Sequence, residues 1–400
     1  MKYIVLLGDG MPDERIIELG NKTPLQVALT PNMDRMARHG LFGLAQTVPQ
    51  GLPPGSDVAN LSVFGYDPHA CYTGRSPLEA ASMGVELGPD DVAFRVNLVN
   101  LSQVGDSFCM RDYSSGHITT DEGMELISSL QKQFGSDEFH FHAGVSYRHL
   151  LVWRNGRETV KTTPPHDITG KYIDGYLPQG EGADCLNQLM NISRQFLANH
   201  PVNLLRLAQN KVPTNSIWLW GQGKAPRMQT YKDKFGLTGA VISAVDLIRG
   251  IGVYAGLDII KVPGVTGYID TNYQGKAEAA LAALETRDFV YLHVEAPDEA
   301  SHSGNLEDKI RAIEDFDKKI VGPILEGIRK YGAYRILCIS DHPTPLRIMT
   351  HSSDAVPFVL YDGKEDQDSL LKGFDEESAR MTGLYIEEGN RLMEMMLQQR

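Results

Sequence analysis

The stretch Val290–His302 reads VYLHVEAPDEASH and connects the expected fold to the expected site. It begins within an apolar segment, residues 289–294, which predicts a buried strand. It ends in Asp298 and His302, a carboxylate and an imidazole four residues apart. Both groups are common metal ligands. A buried strand that leads into such ligands is typical of the edge of an active site.

Two further apolar runs, residues 3–8 and 335–340, lead into side chains of the same kind. Each run is short and continuous, which is typical of a strand buried on both faces of a parallel sheet. In open α/β sheets, ligands bind beyond the carboxyl ends of the strands. We therefore expect the runs to deliver their polar residues to one site. These residues are Asp9 after the first run, and Asp341, His342 and His351 after the second.

The alternation of strands and helices in the last third of the chain predicts an α/β core domain, with a mostly parallel sheet and helices on both faces. One helix is expected to run without interruption over residues 306–330. Residues 86–262 have a different pattern without a recurring ligand cluster, and we interpret them as an inserted α/β cap domain. Residues 1–85 and 263–400 then form the core domain. The charged residues 364–368 predict a solvated loop.

Bulk composition argues against several classes of partner. The chain has 400 residues, of which 42% are hydrophobic, and a formal net charge of −13. Nucleic-acid binding needs a basic face, so no nucleic-acid partner is expected. No apolar run approaches the roughly 20 residues of a membrane span, and the N-terminus does not resemble a signal peptide. With neither feature, a cytoplasmic location is expected by default. The 4 cysteines form no CxxC pair, which favours reduced thiols.

The segment Pro53–Asp57, with sequence PPGSD, predicts a sharp turn followed by a helix that begins near Ser56. A serine at the start of a helix is commonly a cap for the backbone N–H groups. The same position presents a hydroxyl to any anion that the helix N-terminus attracts. The segment by itself leaves both interpretations open.

The candidate ligands occupy matching positions at strand ends. This match is not explained if each residue has only a separate role as a helix cap. Carboxylate, imidazole and hydroxyl groups together favour Mn²⁺ or Zn²⁺, with Mg²⁺ and Co²⁺ also open. Two such ions sharing the set would stabilise the attacking and leaving oxygens of a phosphoryl transfer. A serine bound to one ion would become a nucleophile. The candidate metal ligands are Asp9, Ser56, Asp298, His302, Asp341, His342 and His351.

This set resembles that of the alkaline phosphatase superfamily, and within it the archaeal-type branch of the cofactor-independent phosphoglycerate mutases. Three motifs support the resemblance, and they lie at Thr30–Asp34 (TPNMD), Lys309–Asp317 (KxxxIExxD) and His351–Phe358 (HSxxxVPF). The resemblance implies an alkaline-phosphatase-like fold and a glycolytic and gluconeogenic isomerase. Such an enzyme interconverts 2- and 3-phosphoglycerate, a small phosphorylated substrate, and needs no 2,3-bisphosphoglycerate. The sulfatase branch is disfavoured, since Pro54–Val58 lacks a CxPxR-type signature.

The resemblance also implies two sets of ligands, one for each metal ion. The first set comprises Asp298, His302 and His351, and the second comprises Asp9, Asp341 and His342, with Ser56 on or beside the second ion. Ser56 would accept the phosphoryl group as a phosphoserine. The glycerate would reorient without leaving, and the phosphoryl group would return to its other hydroxyl.

The substrate-binding residues are expected in the cap, where arginine forks suit a substrate carboxylate. The candidates are Arg111, Asp112, Arg148, His166 and Asp167. The sequence leaves the oligomeric state open, and neither a membrane nor a nucleic acid is an expected partner.

Two departures from the archaeal-type pattern leave the substrate open. Archaeal-type mutases tend to carry an arginine after the glycine where this chain has Gly116 and His117, and Pro213–Gly223 lacks an arginine common in that loop. These departures resemble a bacterial subgroup proposed to act in homoserine phosphorylation. The alternative is therefore a phosphatase or a homoserine-phosphate enzyme with the same dinuclear site. A binding protein without catalysis is disfavoured, because no ligand of the set is missing.

Overall fold

A computed structural model describes residues 1–364 and 373–398 of the chain. The predicted solvated loop at 364–368 therefore lies almost wholly outside the described residues. The strands, numbered in chain order, are β1 Lys2–Gly8, β2 Leu41–Ala45, β3 Val92–Val104, β4 Ser107–Asp112, β5 Phe139–Val145, β6 Arg148–Trp153, β7 Ser216–Gly223, β8 Gly239–Ile242, β9 Asp258–Ile259, β10 Phe289–Val294, β11 Tyr334–Ile339, β12 Val356–Tyr361 and β13 Tyr385–Ile386.

The α-helices are α1 Pro24–Val27, α2 Pro31–His39, α3 Ser56–Val63, α4 Pro68–Cys71, α5 Ser76–Ser82, α6 Thr120–Phe134, α7 Ala183–Leu197, α8 Pro201–Ala208, α9 Tyr231–Phe235, α10 Asp246–Tyr254, α11 Tyr273–Thr286, α12 Ala296–His302, α13 Leu306–Phe316, α14 Gly322–Gly327, α15 Glu376–Met381 and α16 Arg391–Leu397. Within the described part of the chain, none of these helices is long and apolar enough to cross a membrane.

The chain folds into two compact units. Unit 1 comprises Met1–Tyr72 and Arg227–Arg400, and unit 2 comprises Thr73–Pro226. The predicted cap, residues 86–262, differs from unit 2 at both ends. Its last part contains β8 and β9, which pair with the large sheet of unit 1. Short apolar strands look alike in either unit, and only their hydrogen-bond partners decide which sheet they join.

The helix α5 explains the difference at the other end. It precedes the predicted boundary at residue 86, yet its residue Ala80 packs in one apolar cluster with Ala93 of β3 and with Leu150 and Val152 of β6. Burial of this helix face against unit 2 therefore moves the start of the unit towards residue 73.

Unit 1 is built on a sheet with the strand order β13-β2-β12-β11-β1-β10-β8-β9. Only β12 runs against its described neighbours, since it pairs antiparallel with both β11 and β2. Both faces of β1 are buried, because Ile4 and Leu6 alternate with Val5 and Leu7 and all four are fully inaccessible. The prediction of a mostly parallel sheet in an α/β core is confirmed.

Unit 2 has an antiparallel sheet in which β3 lies between β7 and β6, and β6 pairs with β5. The helix α6 begins at Thr120 because Thr119 and Glu122 form a capping box at its start. Its apolar face carries Leu126 into a core that also contains Phe94 and Trp218. Unit 2 therefore has a hydrophobic core of its own.

The prediction of one continuous helix over residues 306–330 is wrong, because a π turn at Asp317–Val321 separates α13 from α14. Pro323 has no N–H for a helical hydrogen bond. The carboxylate of Asp317 also accepts hydrogen bonds from the start of α2, including one of 2.7 Å from the backbone N–H of Met33. Both constraints act on the same turn and account for the local change of helical register.

Candidate active site

The side chains predicted to bind metal lie together in unit 1, beyond the carboxyl ends of three neighbouring strands. Strand pairing produces this arrangement, because β1 lies between β10 and β11 and all three are parallel. The backbone N–H of Asp9 continues the ladder by donating to the carbonyl of Val294 at 2.9 Å. Asp9 follows β1, Asp298 and His302 lie on α12 after β10, Asp341 and His342 follow β11, His351 precedes β12, and Ser56 begins α3.

The first predicted ligand set is closely packed. The Nε2 atom of His302 lies 3.1 Å from Oδ2 of Asp298 and 3.0 Å from Nε2 of His351. Nε2 of His351 lies 3.7 Å from Oδ1 of Asp298. The other ring nitrogen of His302, Nδ1, is 2.9 Å from the carbonyl oxygen of Met349. In the neutral ring, this contact keeps the proton on Nδ1 and leaves Nε2 as an electron-pair donor.

The second predicted set surrounds His342. Its Nε2 atom lies 3.3 Å from Oδ2 of Asp341, 3.6 Å from Oδ1 of Asp9 and 3.1 Å from Oγ of Ser56. Ser56 is the first residue of α3, and the capping position belongs to Gly55. No side-chain cap occurs at this helix start. The two interpretations of Ser56 are thus separated, because its hydroxyl contacts His342 instead of capping the helix.

The sequence interpretation missed His293, which lies within β10. Its Nε2 atom is 3.0 Å from Oδ2 of Asp9, and Nδ1 is 3.1 Å from Oγ of Ser243. One ligand atom each from Asp9, His293 and Asp341 lie within 4.8 Å of one another. Burial lowers the pKa of His293 to about 3, so its ring is neutral. A histidine inside an otherwise apolar strand was the signal that could have identified it.

The two predicted sets are not separated in space. Ligand atoms of Asp298, His342 and His351 also lie within 4.8 Å of one another, so His342 is close to both sets. The hydroxyl of Thr344 connects them as well, since it contacts Oδ1 of Asp298 and lies 3.3 Å from Nδ1 of His342. Thr344 is fully buried. Its hydroxyl therefore contacts one ligand from each predicted set.

Asp341 is held by a buried hydrogen-bond network. The side-chain amide of Asn60 donates to Oδ2 of Asp341 at 2.9 Å, and the hydroxyl of Tyr291 donates to Oδ1 of Asn60 at 2.6 Å. The other carboxylate oxygen of Asp341 accepts from the backbone N–H groups of Gly10 and His342, at 3.2 and 2.9 Å. These donors fix the orientation of the carboxylate before any ligand binds.

Lys309 supports the loops that carry the ligands. Its Nζ atom is fully buried and lies 2.8 Å from Oδ2 of Asp13, and it donates to the carbonyl of Thr344 at 2.9 Å. The loop after β1 contains Asp13, and the loop after β11 contains Thr344. One lysine on α13 therefore ties both ligand-bearing loops together.

The electrostatics of the cluster fit cations. Burial, together with the neighbouring Asp341 and Asp298, raises the pKa of Asp9 well above its ordinary value. Burial would also raise the pKa of Asp298, but hydrogen bonds from His302 and His351 hold it well below its ordinary value. Burial lowers the pKa of His302, yet its contact with Asp298 prevails and raises it to about 9. The carboxylate of Asp298 therefore favours a positive charge at His302.

The donor set also passes a direct test of fit to a divalent metal ion. Within residues 1–364 and 373–398, Oδ1 of Asp9 is buried without a hydrogen-bond partner. Buried acceptors are nearly always paired in folded proteins. The same oxygen faces Nε2 of His342. When Nδ1 of His342 carries the proton, Nε2 has none and can donate an electron pair to a metal ion. Carboxylate oxygens and imidazole nitrogens that converge in this way fit a divalent metal.

The predicted substrate-binding residues lie in unit 2 and do not form one group. Asp112 shapes a turn, because its Oδ1 accepts from the backbone N–H of Ser114 and its Oδ2 from that of Gly116, each at 2.7 Å. Burial would raise the pKa of Asp112, but these hydrogen bonds lower it. The neighbouring Arg111 is exposed.

Arg148 and His166 are connected through two tyrosine rings. The guanidinium carbon of Arg148 lies 5.6 Å from the ring centroid of Tyr147, and the ring of His166 lies 6.1 Å from that of Tyr113. The two tyrosine rings are 5.8 Å apart. Asp167 lies beside this group, with Oδ1 3.6 Å from Nε2 of His166.

A mostly parallel α/β sheet with buried carboxylates, imidazoles and a serine at its carboxyl edge fits the class of metal-dependent phosphoryl-transfer enzymes. The family model described as 2,3-bisphosphoglycerate-independent phosphoglycerate mutase matches residues 37–203. The chain is 67% identical to "Probable 2,3-bisphosphoglycerate-independent phosphoglycerate mutase" of Geobacter sulfurreducens, over 99% of this chain and 100% of that protein. The chain belongs to the 2,3-bisphosphoglycerate-independent phosphoglycerate mutase family.

Archaeal proteins agree with this assignment. The 2,3-bisphosphoglycerate-independent phosphoglycerate mutase of Methanosarcina acetivorans is 52% identical over 99% of this chain and 100% of that protein. The solved structure of the cofactor-independent phosphoglycerate mutase from Thermoplasma acidophilum superposes with a TM-score of 0.66 at 26% identity, and covers 99% of this chain and 100% of that chain. The family resemblance predicted from the sequence motifs is therefore confirmed, and a small phosphorylated substrate follows from the family.

Proposed function

We propose that this chain is an enzyme that interconverts 2- and 3-phosphoglycerate without 2,3-bisphosphoglycerate, through a phosphoserine at Ser56. The carrying observation is the position of the Ser56 hydroxyl, 3.1 Å from Nε2 of His342 inside the ligand cluster. Membership of the mutase family favours this reaction over the phosphatase and homoserine-phosphate alternatives. We further propose a cytoplasmic location.

The two ions would be held by Asp298, His302 and His351 on one side and by Asp9, Asp341 and His342 on the other, with Ser56 beside the second ion. His293 is placed to orient Asp9, because it donates from Nε2 to Oδ2 and leaves Oδ1 for the ion. When bound, Mn²⁺ or Zn²⁺ would polarise the phosphoryl oxygens and favour the deprotonated form of the serine hydroxyl.

The protein groups around Ser56 have distinct roles in the proposed reaction. The start of α3 directs the Ser56 hydroxyl at the cluster, where it can attack a phosphoryl group and later return it. The side-chain amide of Asn60, on the same helix, donates hydrogen bonds to Asp341 and to the Ser56 carbonyl, at 2.9 and 2.8 Å. Asn60 therefore has a positioning role. For unit 2, we propose that Arg148 and His166 contribute to substrate binding, together with Arg111 and with Asp167 next to His166, and that Asp112 shapes a turn.

The proposal is tested by supplying 3-phosphoglycerate with Mn²⁺ and no bisphosphoglycerate, and by following 2-phosphoglycerate and free phosphate together. We expect the isomer to form without release of phosphate. Free phosphate as the sole product would identify a phosphatase instead, and the absence of both products would favour the homoserine-phosphate alternative.

The covalent step has a separate test. We expect Ser56→Ala to lose at least about 1,000-fold in kcat, because nucleophile knock-outs in covalent catalysis typically remove most of the rate enhancement. Mass spectrometry of acid-quenched wild-type enzyme should detect one phosphate on the peptide that contains Ser56. Substantial turnover by the alanine variant would exclude the phosphoserine.

A further inference from the structure

The proposed contact of His293 with Asp9 depends on which ring nitrogen carries the proton. One ligand atom each from Asp9, His293 and Asp341 lie within 4.8 Å of one another, so distance alone would also admit His293 as a metal ligand. A ring nitrogen binds a metal ion only without a proton, whereas it supports a carboxylate only by donating one. The position of the proton therefore decides between these two roles of His293.

A hydroxyl faces the other nitrogen of this ring. Nδ1 of His293 lies 3.1 Å from Oγ of Ser243, and Nε2 lies 3.0 Å from Oδ2 of Asp9. The Oγ atom of Ser243 already accepts a hydrogen bond of 3.0 Å from the backbone N–H of Val245. Its own proton remains to be donated, and within residues 1–364 and 373–398 the acceptor that it contacts is Nδ1 of His293. Ser243 therefore donates to this nitrogen.

The direction of this hydrogen bond fixes the tautomer of His293. Burial lowers the pKa of His293 to about 3, so the ring is neutral and carries one N–H. With Nδ1 as the acceptor, the N–H lies on Nε2 and donates to Oδ2 of Asp9. The opposite tautomer would place an unprotonated Nε2 3.0 Å from a carboxylate oxygen, and an ionised carboxylate only accepts. Two buried acceptors that face each other are costly.

The fold holds both partners in place through their backbones. Ser243 directly follows β8, and the parallel pairing of β8 with β10 brings it beside His293. The carbonyl of Ser243 accepts from Nε of Arg249 at 2.9 Å, and the carbonyl of His293 accepts from Nζ of Lys276 at 3.0 Å. Ser243 is 3% exposed and His293 is inaccessible, so the hydroxyl is not readily replaced by water.

We propose that Ser243 is a positioning residue whose hydroxyl keeps the proton of His293 on Nε2, so that this ring orients Asp9 and is not itself a metal ligand. Oδ2 of Asp9 is then engaged by His293. Oδ1 of Asp9, which is buried without a hydrogen-bond partner in the described part of the chain, is left for an ion. The proposal rests on the proposed function only in assigning Asp9 to the second ion.

The tautomer is measured by heteronuclear NMR of full-length protein that is labelled at its histidine nitrogens and loaded with Zn²⁺, which is diamagnetic. His293→Gln identifies the signals of His293 by their loss. We expect a protonated Nε2 and an unprotonated, hydrogen-bonded Nδ1 in the wild type. In Ser243→Ala, the Nδ1 signal should move towards that of a nitrogen without a hydrogen bond. Ser243→Thr keeps the hydroxyl and should retain the wild-type signal.

The affinity for Zn²⁺ gives a second measurement, by competition with a chromophoric chelator. Ser243→Ala should bind Zn²⁺ about 10-fold more weakly than the wild type, which is the lower end of the range for outer-shell partners of metal ligands. The lower end is expected because Ser243 acts on Asp9 through His293. Ser243→Thr should restore most of the affinity.

A matched control removes another buried hydroxyl of unit 1. Oγ of Ser378 donates to Oδ2 of Asp375 at 2.7 Å, and neither residue belongs to the proposed ligand set. Ser378→Ala should keep the wild-type affinity for Zn²⁺ and the wild-type signals of His293. Circular dichroism verifies that each variant folds.

Several outcomes would overturn the proposal. A proton on Nδ1 or a Zn²⁺ ion on Nε2 of His293 in the wild type would refute the tautomer, and this result needs no variant. Wild-type affinity in Ser243→Ala, an equal loss in the alanine and threonine variants, or no binding of Zn²⁺ by the wild type would refute the role of Ser243.

Failure of the proposed function is distinguishable. A protein that binds Zn²⁺ in this Ser243-dependent way but does not isomerise phosphoglycerate would retain the positioning role and refute the proposed function alone. Isomerisation by a protein whose His293 carries the proton on Nδ1 would refute the positioning role alone.

Discussion

The hydroxyl of Thr344 has a single proton to share between its two neighbours. If Nε2 of His342 faces the second ion, its Nδ1 carries the proton and donates to Thr344. The hydroxyl then donates its own proton to Oδ1 of Asp298. This chain of donors orients one ligand from each proposed metal site, as second-shell partners of metal ligands commonly do.

Replacing Thr344 tests this direction of hydrogen bonding. Thr344→Val has nearly the same shape but no hydroxyl, and we expect it to weaken Mn²⁺ binding by about 10- to 100-fold. Thr344→Ser keeps the hydroxyl and should bind Mn²⁺ almost like the wild type. Isothermal titration calorimetry on metal-free protein measures both, and equal affinities in the valine and serine variants would contradict the role.

Asp9 is expected to destabilise the metal-free protein. Its pKa is raised in the folded state by burial and by Asp341 and Asp298. A carboxyl group with a raised folded pKa contributes stability below its unfolded pKa, and that contribution is lost as the pH rises through the folded pKa. At neutral pH, which lies above the unfolded pKa of an aspartate, the raised folded pKa of Asp9 therefore lowers the stability of the metal-free protein.

Asp9→Asn removes this cost. In the presence of a chelator at pH 7, we expect the free energy of unfolding of the variant to exceed that of the wild type by at least about 1 kcal/mol. The difference should shrink as the pH falls towards the ordinary pKa of an aspartate. Urea denaturation at several pH values measures it. A metal-free variant less stable than the wild type at pH 7 would refute the electrostatic explanation.

At the scale of elements, α13 does more than cover the sheet. Its fully buried Lys309 contacts Asp13 in the loop after β1 and the carbonyl of Thr344 in the loop after β11. The motif quoted from the sequence around this lysine therefore has a structural explanation. The lysine connects the loops that carry ligands from distant parts of the chain.

Lys309→Met should destabilise the protein by about 3–5 kcal/mol, because it leaves the Asp13 carboxylate buried and unpaired. Lys330 forms an exposed ion pair with Glu285, at 3.0 Å, and Lys330→Met is the matched control. The control should leave the urea midpoint unchanged, since exposed pairs contribute little. Similar urea midpoints for Lys309→Met and Lys330→Met would show that the buried ion pair contributes no more to stability than the exposed one.

At the scale of the whole molecule, the two units have separate cores, and the ligand cluster belongs to unit 1 alone. Removing divalent ions leaves the buried carboxylates of unit 1 without compensation. With EDTA, we expect faster hydrogen exchange in β1, β10, β11 and α12, as the stabilisation that bound ions supply is withdrawn. The amides of β3 and α6 in unit 2 should exchange at unchanged rates.

Hydrogen-exchange mass spectrometry with and without EDTA, followed by restoration with Mn²⁺, makes this comparison. Asp9→Asn serves as a second reference, because it is expected to respond less to the chelator. Uniform acceleration across both units would contradict a stabilising effect confined to unit 1.

The sequence by itself determined the placement of Asp9, Asp298, His302, Asp341 and His342, because each follows or lies just beyond a short apolar run. Such runs form buried strands, and parallel strands bring their carboxyl ends to one edge. The family also followed from local motifs. The placement of the side chains depends only on periodicity and spacing, whereas the family depends on a resemblance carried by the quoted motifs.

Tertiary structure alone decided the remainder. β8 and β9 joined the sheet of unit 1 through hydrogen bonds with distant strands, which shifted the predicted boundary of the cap. His293 contacts Asp9, and Arg95 lies opposite Trp220, although the strands involved are far apart in the chain. In Val290–His302 the candidate ligands Asp298 and His302 were predictable from spacing, whereas His293 was placed beside Asp9 only by the pairing of β10 with β1.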